Sequence, residues 1–139
     1  MKSSYWILSS KNNRSYKGLD KDISTDCLIV GGGIVGLTTA YLLAKENKKV
    51  VIVEADKVGF GTSGRNTGKV TSQHGLIYKD ICKKYSPQKA RMYYEANEEG
   101  LKLVEDIVSE HNISCDFKKV PSFAYTLDEN YIQYIKDIQ

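Results

Sequence analysis

Glycines at Gly31, Gly32, Gly33 and Gly36, set between two apolar runs, constrain this chain more than any other feature. Before them stands Cys27-Leu28-Ile29-Val30, an unbroken apolar run of the kind that forms a strand buried on both faces of a parallel sheet. After them come a helical stretch, Leu37 through Asn47, and a second apolar run, Val50-Val51-Ile52-Val53, closed by Glu54. Strand, glycine turn, helix, strand and acid, in that order, make a βαβ unit suited to the ADP half of a dinucleotide.

Each position has a physical task. Gly31 allows a sharp turn at the end of the strand, where a side chain would clash. Gly33 has no Cβ, so the backbone can come close to a pyrophosphate, and Gly36 lets the helix pack tightly on the strand. Gly32, Ile34 and Val35 complete the turn, and the unpaired N–H groups and partial positive charge at the helix start face the phosphates. Val35, Leu37, Ala40, Leu42 and Leu43 give the helix a face for the sheet. Glu54 is positioned to accept hydrogen bonds from both ribose hydroxyls, and its charge repels a 2′-phosphate, which argues against NADP.

The loop after Glu54 and Ala55 bears on which dinucleotide is held. Gly59, Gly61, Gly64 and Gly68 alternate with small hydroxyl residues, among them Thr62 and Ser63, and Arg65 adds a charge. Such a loop can supply further donors to a diphosphate; the alternative is a flexible surface loop. A nicotinamide dehydrogenase more often runs from the acid into another helix and strand.

The run from Asp26 to about Tyr78 resembles the FAD-binding start of the D-amino-acid-oxidase-like (DAO) flavoprotein family, which includes glycine oxidase and sarcosine oxidase. The likeness rests on Gly31-Gly-Gly-Ile-Val-Gly36, Ala40, Leu43, Glu54-Ala55, Gly61-Thr-Ser-Gly-Arg-Asn66 and Gly68. Ser4-Tyr5-Trp6, Lys69 to Tyr78, Tyr93 to Glu99, Asp116-Phe117 and Ala124-Tyr125-Thr126 are similar to a subgroup carrying a Rieske iron–sulfur domain at the far C-terminus. Asn66 departs from that subgroup's pattern, which has a second small hydroxyl residue there.

The resemblance implies FAD as cofactor, with Gly31, Gly33 and Gly36 at the pyrophosphate and Glu54 at the ribose. Thr62, Ser63 and Arg65 would lie along the phosphate-to-flavin stretch, and Asn66, Thr67 and Lys69 toward the isoalloxazine. It further implies oxidation of a C–N bond in a small amine or amino acid. Hydride would pass to the flavin, leaving an imine that hydrolyses. No catalytic acid or base is placed in these residues, and a 2Fe–2S cluster would sit only in a C-terminal domain outside this chain.

The expected fold is α/β: a Rossmann-like βαβ unit with added helices and a short β pair, incomplete as the N-terminal part of a larger two-domain flavoprotein. At 139 residues the chain is one domain's worth, read as an arm over 1–24 and a truncated FAD-binding domain over 25–139. Tyr5-Trp6-Ile7-Leu8 is available to dock on that domain or on a missing part. Leu76 to Tyr85 suggests a short helix, and Ser86-Pro87 opens a long one with Met92, Ala96, Leu103, Val104, Ile107 and Val108 as its apolar face and Asn112 near its end. Cys115–Val120 and Ser122–Thr126 read as the strand pair. Thr126-Leu-Asp-Glu129 reads as a capping box opening a helix through Tyr131, Ile132, Ile135 and Ile138.

Hydrophobic residues at 41% and charged residues at 27% are ordinary globular values, and no apolar stretch is long enough for a membrane span. The net charge of +3 comes from scattered lysines, which argues against nucleic acid as a partner. Cys27, Cys82 and Cys115 lack metal-ligand spacing, and an odd count without a secretion signal fits the cytoplasm. His111 reads as a surface residue and His74 as structural or lining rather than catalytic. An NAD-dependent dehydrogenase and a non-catalytic nucleotide-binding module remain as alternatives, and the substrate and oligomeric state leave no mark on the sequence.

Overall fold

Four apolar residues form β1 (Cys27–Val30), and four more form β2 (Val50–Val53), which lies parallel to it with Cys27 opposite Val50 and Val30 opposite Val53. A parallel pair needs a crossover, here α2 (Ile34–Lys45). The computed structural model describes residues 4–10 and 14–136. These divide into two units, one running to Gly68 and the other starting at Lys69.

In the first unit the sheet is pinned at its lower edge. Thr25 Oγ1 donates to the Lys49 carbonyl at 2.6 Å, and the Lys49 N–H donates to Asp26 Oδ2 at 2.8 Å. The helix starts three residues before Leu37, because Gly33 is extended and serves as N-cap. It ends where Asn47 turns left-handed, with the Asn47 and Lys48 N–H groups closing on the Ala44 and Leu43 carbonyls.

Gly31 adopts a φ of +105° at the exit of β1. At Gly36 an added Cβ would lie 2.1 Å from the Gly31 carbonyl oxygen, so no other residue fits without moving helix from strand. One expectation fails. β1 is not buried on both faces: Leu28 is 60% and Val30 81% exposed. α2 packs on the sheet, but among the described residues nothing covers the face that Leu28 and Val30 present. Residues Tyr5–Ser9 form a short helix, α1, while 14–24 carry no regular structure.

The second unit is built on α3 (Ile77–Lys84) and α4 (Pro87–Glu110), which pack together. Ser86 caps α4, its Oγ accepting from the Lys89 N–H at 3.2 Å with Pro87 at the first position. Asn112, left-handed, follows the helix end as expected.

Three expectations need correction here. Met92 (57% exposed) and Ala96 lie on the outer side of α4; the inner stripe runs through Ala90, Tyr93, Asn97, Leu101, Val104 and Val108. Cys115–Val120 and Ser122–Thr126 form no strands, since a strand exists through its ladder and these segments have no partner among the described residues. Lys119 Nζ meets Glu105 Oε2 at 2.6 Å, which ties the first of them to α4. Lastly, Thr126 does not cap a helix. Its Oγ1 accepts from the Asp128 N–H, and Asp128 in turn caps the turn Glu129–Tyr131 that leads into α5 (Ile132–Lys136). Ile138 lies outside the described residues.

Candidate functional site

The carboxyl ends of β1 and β2 converge with the glycine turn, the start of α2 and the loop over 59–68. Ligands of open α/β sheets bind at this end of the strands. Gly32 is buried, and its N–H donates to Glu54 Oε2 at 2.7 Å while its carbonyl accepts from the Gly59 N–H at 2.8 Å. Glu54 Oε1 accepts from the Asp56 N–H at 3.0 Å. These donors, Asp56 first and Gly32 second, hold the Glu54 carboxyl below its ordinary value. The residue is nonetheless exposed, so its carboxylate keeps acceptor capacity toward solvent.

At the start of α2 the Ile34 N–H donates to Ser63 Oγ at 2.8 Å. Ser63 thus crosses from the second glycine loop to the first, and a Cβ on Gly33 would meet that same oxygen at 3.1 Å. No acidic residue occupies the first turn of this helix, and Ile34 (58%) and Val35 (77%) are open to solvent. The result is a shallow, donor-rich ledge with one carboxylate at its side.

The structure brings Gly31, Gly32, Gly33, Ile34, Val35, Gly36, Glu54 and Ser63 to this ledge, with Ala55 exposed beside Glu54. Other loop residues turn elsewhere. Arg65 Nη1 donates to the Phe60 carbonyl and to the Gly61 carbonyl, and its guanidinium lies 5.3 Å from the Phe60 ring centroid. Asn66 closes its own loop: Nδ2 donates to the Ser63 carbonyl at 2.5 Å, and Oδ1 accepts from the Gly68 N–H at 2.6 Å. Gly61 precedes and Thr62 opens the single 3₁₀ turn Thr62–Arg65, Thr67 is exposed, and Lys69 begins the second unit. Sequence reasoning missed Val58, whose Cγ2 lies 3.2 Å from where a Gly32 Cβ would stand. An apolar residue directly before Gly59 in a polar loop was the available signal.

In the second unit His74 Nδ1 and the Tyr93 hydroxyl are 3.2 Å apart, and the two rings meet edge to face. The Tyr93 and Tyr78 ring centroids lie 5.8 Å apart, and the Tyr78 hydroxyl donates to the Ser72 carbonyl. Partial burial, with Tyr93 and Glu98 nearby, raises the Tyr78 phenol above its ordinary value. The Tyr93 hydroxyl thus ties residues 72–78 to α4, while the Tyr78 hydroxyl closes that segment on itself. The same unit contains an apolar cavity of about 350 Å³ walled by Leu76, Phe123, Tyr125, Tyr131 and Ile135.

A family profile described as FAD dependent oxidoreductase, DAO, matches residues 26–139. The chain belongs to the DAO family of FAD-dependent oxidoreductases. Its dinucleotide is therefore FAD, the cofactor by which the family is described. A Bacillus subtilis protein named for a Rieske 2Fe-2S iron–sulfur group, YhfW, is 40% identical over 94% of this chain and 26% of its own length. Gamma-glutamylputrescine oxidoreductase of Escherichia coli is 34% identical over 84% of this chain and 27% of its own length. Glycine oxidase of Bacillus subtilis is 29% identical over 63% of this chain and 24% of its own length. The chain thus spans about a quarter of these curated relatives. No solved structure matches it. Among the described residues no helix is long and apolar enough to cross a membrane.

Proposed function

We propose that the ledge at the ends of β1 and β2 is the FAD seat of a flavin-dependent oxidoreductase that oxidises a C–N bond of a small amine or amino acid. The observation that carries the reading is the convergence of three features: a glycine turn whose Gly36 tolerates no side chain, a helix start free of acidic residues, and an exposed carboxylate on Glu54. Each suits one part of an ADP group. The backbone N–H of Gly33 and the Ser63 hydroxyl, which the Ile34 N–H holds at the helix start, suit the diphosphate. Glu54 suits a vicinal diol, since its carboxylate accepts from the Gly32 and Asp56 N–H groups and is still exposed, with acceptor capacity left.

Ser63 has a double part to play. Its Oγ accepts from Ile34, so its own proton is free to be donated to an anion lying on the ledge. Glu54 fixes the turn through the Gly32 N–H, and that bond with the one from Asp56 favours its charged form. FAD, when bound, supplies the two-electron acceptor for the oxidation. We assign no acid or base catalyst to this chain. Gly61, Thr62 and Arg65 along the phosphate-to-flavin stretch, and Asn66, Thr67 and Lys69 toward the isoalloxazine, are retained only by analogy with the family.

The substrate class is inferred from relatives named for glycine and for gamma-glutamylputrescine. A 2Fe–2S cluster in a domain beyond this chain is inferred from the relative named for a Rieske group. We read 1–24 as an arm and 25–139 as part of the FAD-binding domain. The free cysteines Cys27, Cys82 and Cys115 support a reducing, cytoplasmic setting, and the scatter of the lysines along the sequence argues against nucleic acid as a partner.

The test is to purify the protein and release its chromophore with acid. FAD in the supernatant at one equivalent per chain, with oxidation of glycine or a polyamine conjugate reducing the bound flavin, supports the reading. A colourless protein that takes up no added FAD refutes it.

A further inference from the structure

We propose that Trp6 is a positioning residue, and that α1 acts as a clasp holding the 59–68 loop in the shape that keeps Ser63 at the start of α2. The inference rests on the FAD reading above and goes further, because it gives the N-terminal arm a part in cofactor retention.

A five-residue helix does not persist alone, since the cost of nucleation exceeds what one turn of hydrogen bonds returns. α1 is held by its own cap, where Ser4 Oγ accepts from the Trp6 N–H at 3.2 Å, and by the loop. The Trp6 indole Nε1–H donates to the Asn66 carbonyl at 2.7 Å, across sixty positions of sequence. The ring rests on Gly68: a Cβ there would stand 2.6 Å from Trp6 Cζ2. Ile7 rests on Gly64, where a Cβ would stand 3.3 Å from Ile7 Cδ1. Adjacent side chains of α1 thus sit on two glycines of the loop.

The loop needs such support. Its one regular element is a four-residue 3₁₀ turn; Arg65 and the Gly59 N–H hold its first half, and Asn66 holds the half that carries Ser63. Asn66 receives the indole on its carbonyl and grips the Ser63 carbonyl with its side chain, while Ser63 Oγ takes the Ile34 N–H. The chain of contacts is continuous: Trp6, Asn66, Ser63, Ile34. Pull away the indole, and Ser63 loses the backbone that aims it.

The experiment compares Trp6→Phe, Trp6→Ala, Gly68→Ala and the double variant Trp6→Ala/Gly68→Ala in the protein as its gene encodes it, with Glu54→Ala as reference. FAD release is followed by the rise in flavin fluorescence on dilution, and loop order by trypsin cleavage after Arg65 in FAD-free protein. Trp6→Ala should release FAD about tenfold faster and Trp6→Phe, which keeps the ring but not the donor, about threefold faster. Cleavage after Arg65 should speed up in step, while cleavage at Lys102 on α4 stays unchanged. Gly68→Ala should cost less in the Trp6→Ala background than alone, because the clash disappears with the ring.

If Trp6→Ala fails to fold, Trp6→Phe and the cleavage assay carry the test. Wild-type release and cleavage rates in the Trp6 variants, alongside fast release from Glu54→Ala, overturn the clasp and leave the FAD seat standing. Strict additivity of Trp6→Ala and Gly68→Ala also overturns it. A wild-type protein that binds no FAD removes both readings.

Discussion

The two units are held by different means. In the first, the decisive contacts are between backbone groups that approach so closely that only glycine fits, as at Gly36 against the Gly31 carbonyl and Gly64 against the Gly59 carbonyl. In the second, side chains do the work: Tyr78, Tyr93 and His74 interlock, and Ala90 is buried in the stripe of α4. Backbone-limited geometry tolerates almost no substitution and is fixed by a handful of positions. Side-chain-limited geometry degrades by degrees. The second unit should therefore absorb changes of a size that would abolish the first.

The sharpest break of that contrast is Gly36→Ala. With a Cβ 2.1 Å from the Gly31 oxygen, helix and strand must part, at a cost of about 4 kcal/mol or more, and the purified variant should retain no flavin by absorbance. If it retains flavin and melts like wild type, the backbone account of the first unit is wrong.

Glu54→Ala comes next. Losing this acceptor should weaken FAD binding by roughly 10- to 100-fold, read by titration. Its pH dependence stems from the lowered carboxyl value. A group whose value is depressed on folding contributes in full above its ordinary 4.5, and that contribution fades as the pH falls through the lowered value. Acid titration of stability should show this component in wild type and lack it in Glu54→Ala.

In the second unit, Tyr93→Phe removes the hydroxyl facing His74 Nδ1 and should lower stability by about 0.5–1.5 kcal/mol in a denaturant melt. FAD affinity should not move. The smallest effect has the opposite sign. Gly100 lies inside α4 with nothing within 4 Å of an added Cβ, so Gly100→Ala should stabilise by about 0.5–1 kcal/mol. One residue type then gives loss in one unit and gain in the other.

The same contrast governs what could be read in advance. Gly31, Gly33, Gly36 and Glu54 were legible because their spacing encodes backbone constraints, which leave few alternatives. Arg65 was not legible: a cation in a glycine loop suggests a ligand, yet nearby carbonyls and the Phe60 ring satisfy it within the loop. On α4 an apolar-only pattern pointed to Met92 and Ala96, whereas Tyr93 and Asn97 face inward. Tyr93 buries a ring and pairs its hydroxyl with His74, and Asn97 Nδ2 donates to the Tyr93 carbonyl at 2.7 Å. Strand formation at 115–126 could not be decided locally, because composition suggests a strand but only a partner makes one. The Trp6–Asn66 hydrogen bond joins segments far apart in sequence: the apolar run Tyr5–Leu8 announces a docking segment, but nothing local names the loop it meets.

The most direct measurement is the dissociation constant of FAD from the apoprotein for wild type, Glu54→Ala and Glu46→Ala, a carboxylate at the opposite end of α2. The account predicts tight binding by wild type and Glu46→Ala, and binding weakened by roughly 10- to 100-fold in Glu54→Ala. Equal affinities in all three proteins would contradict it.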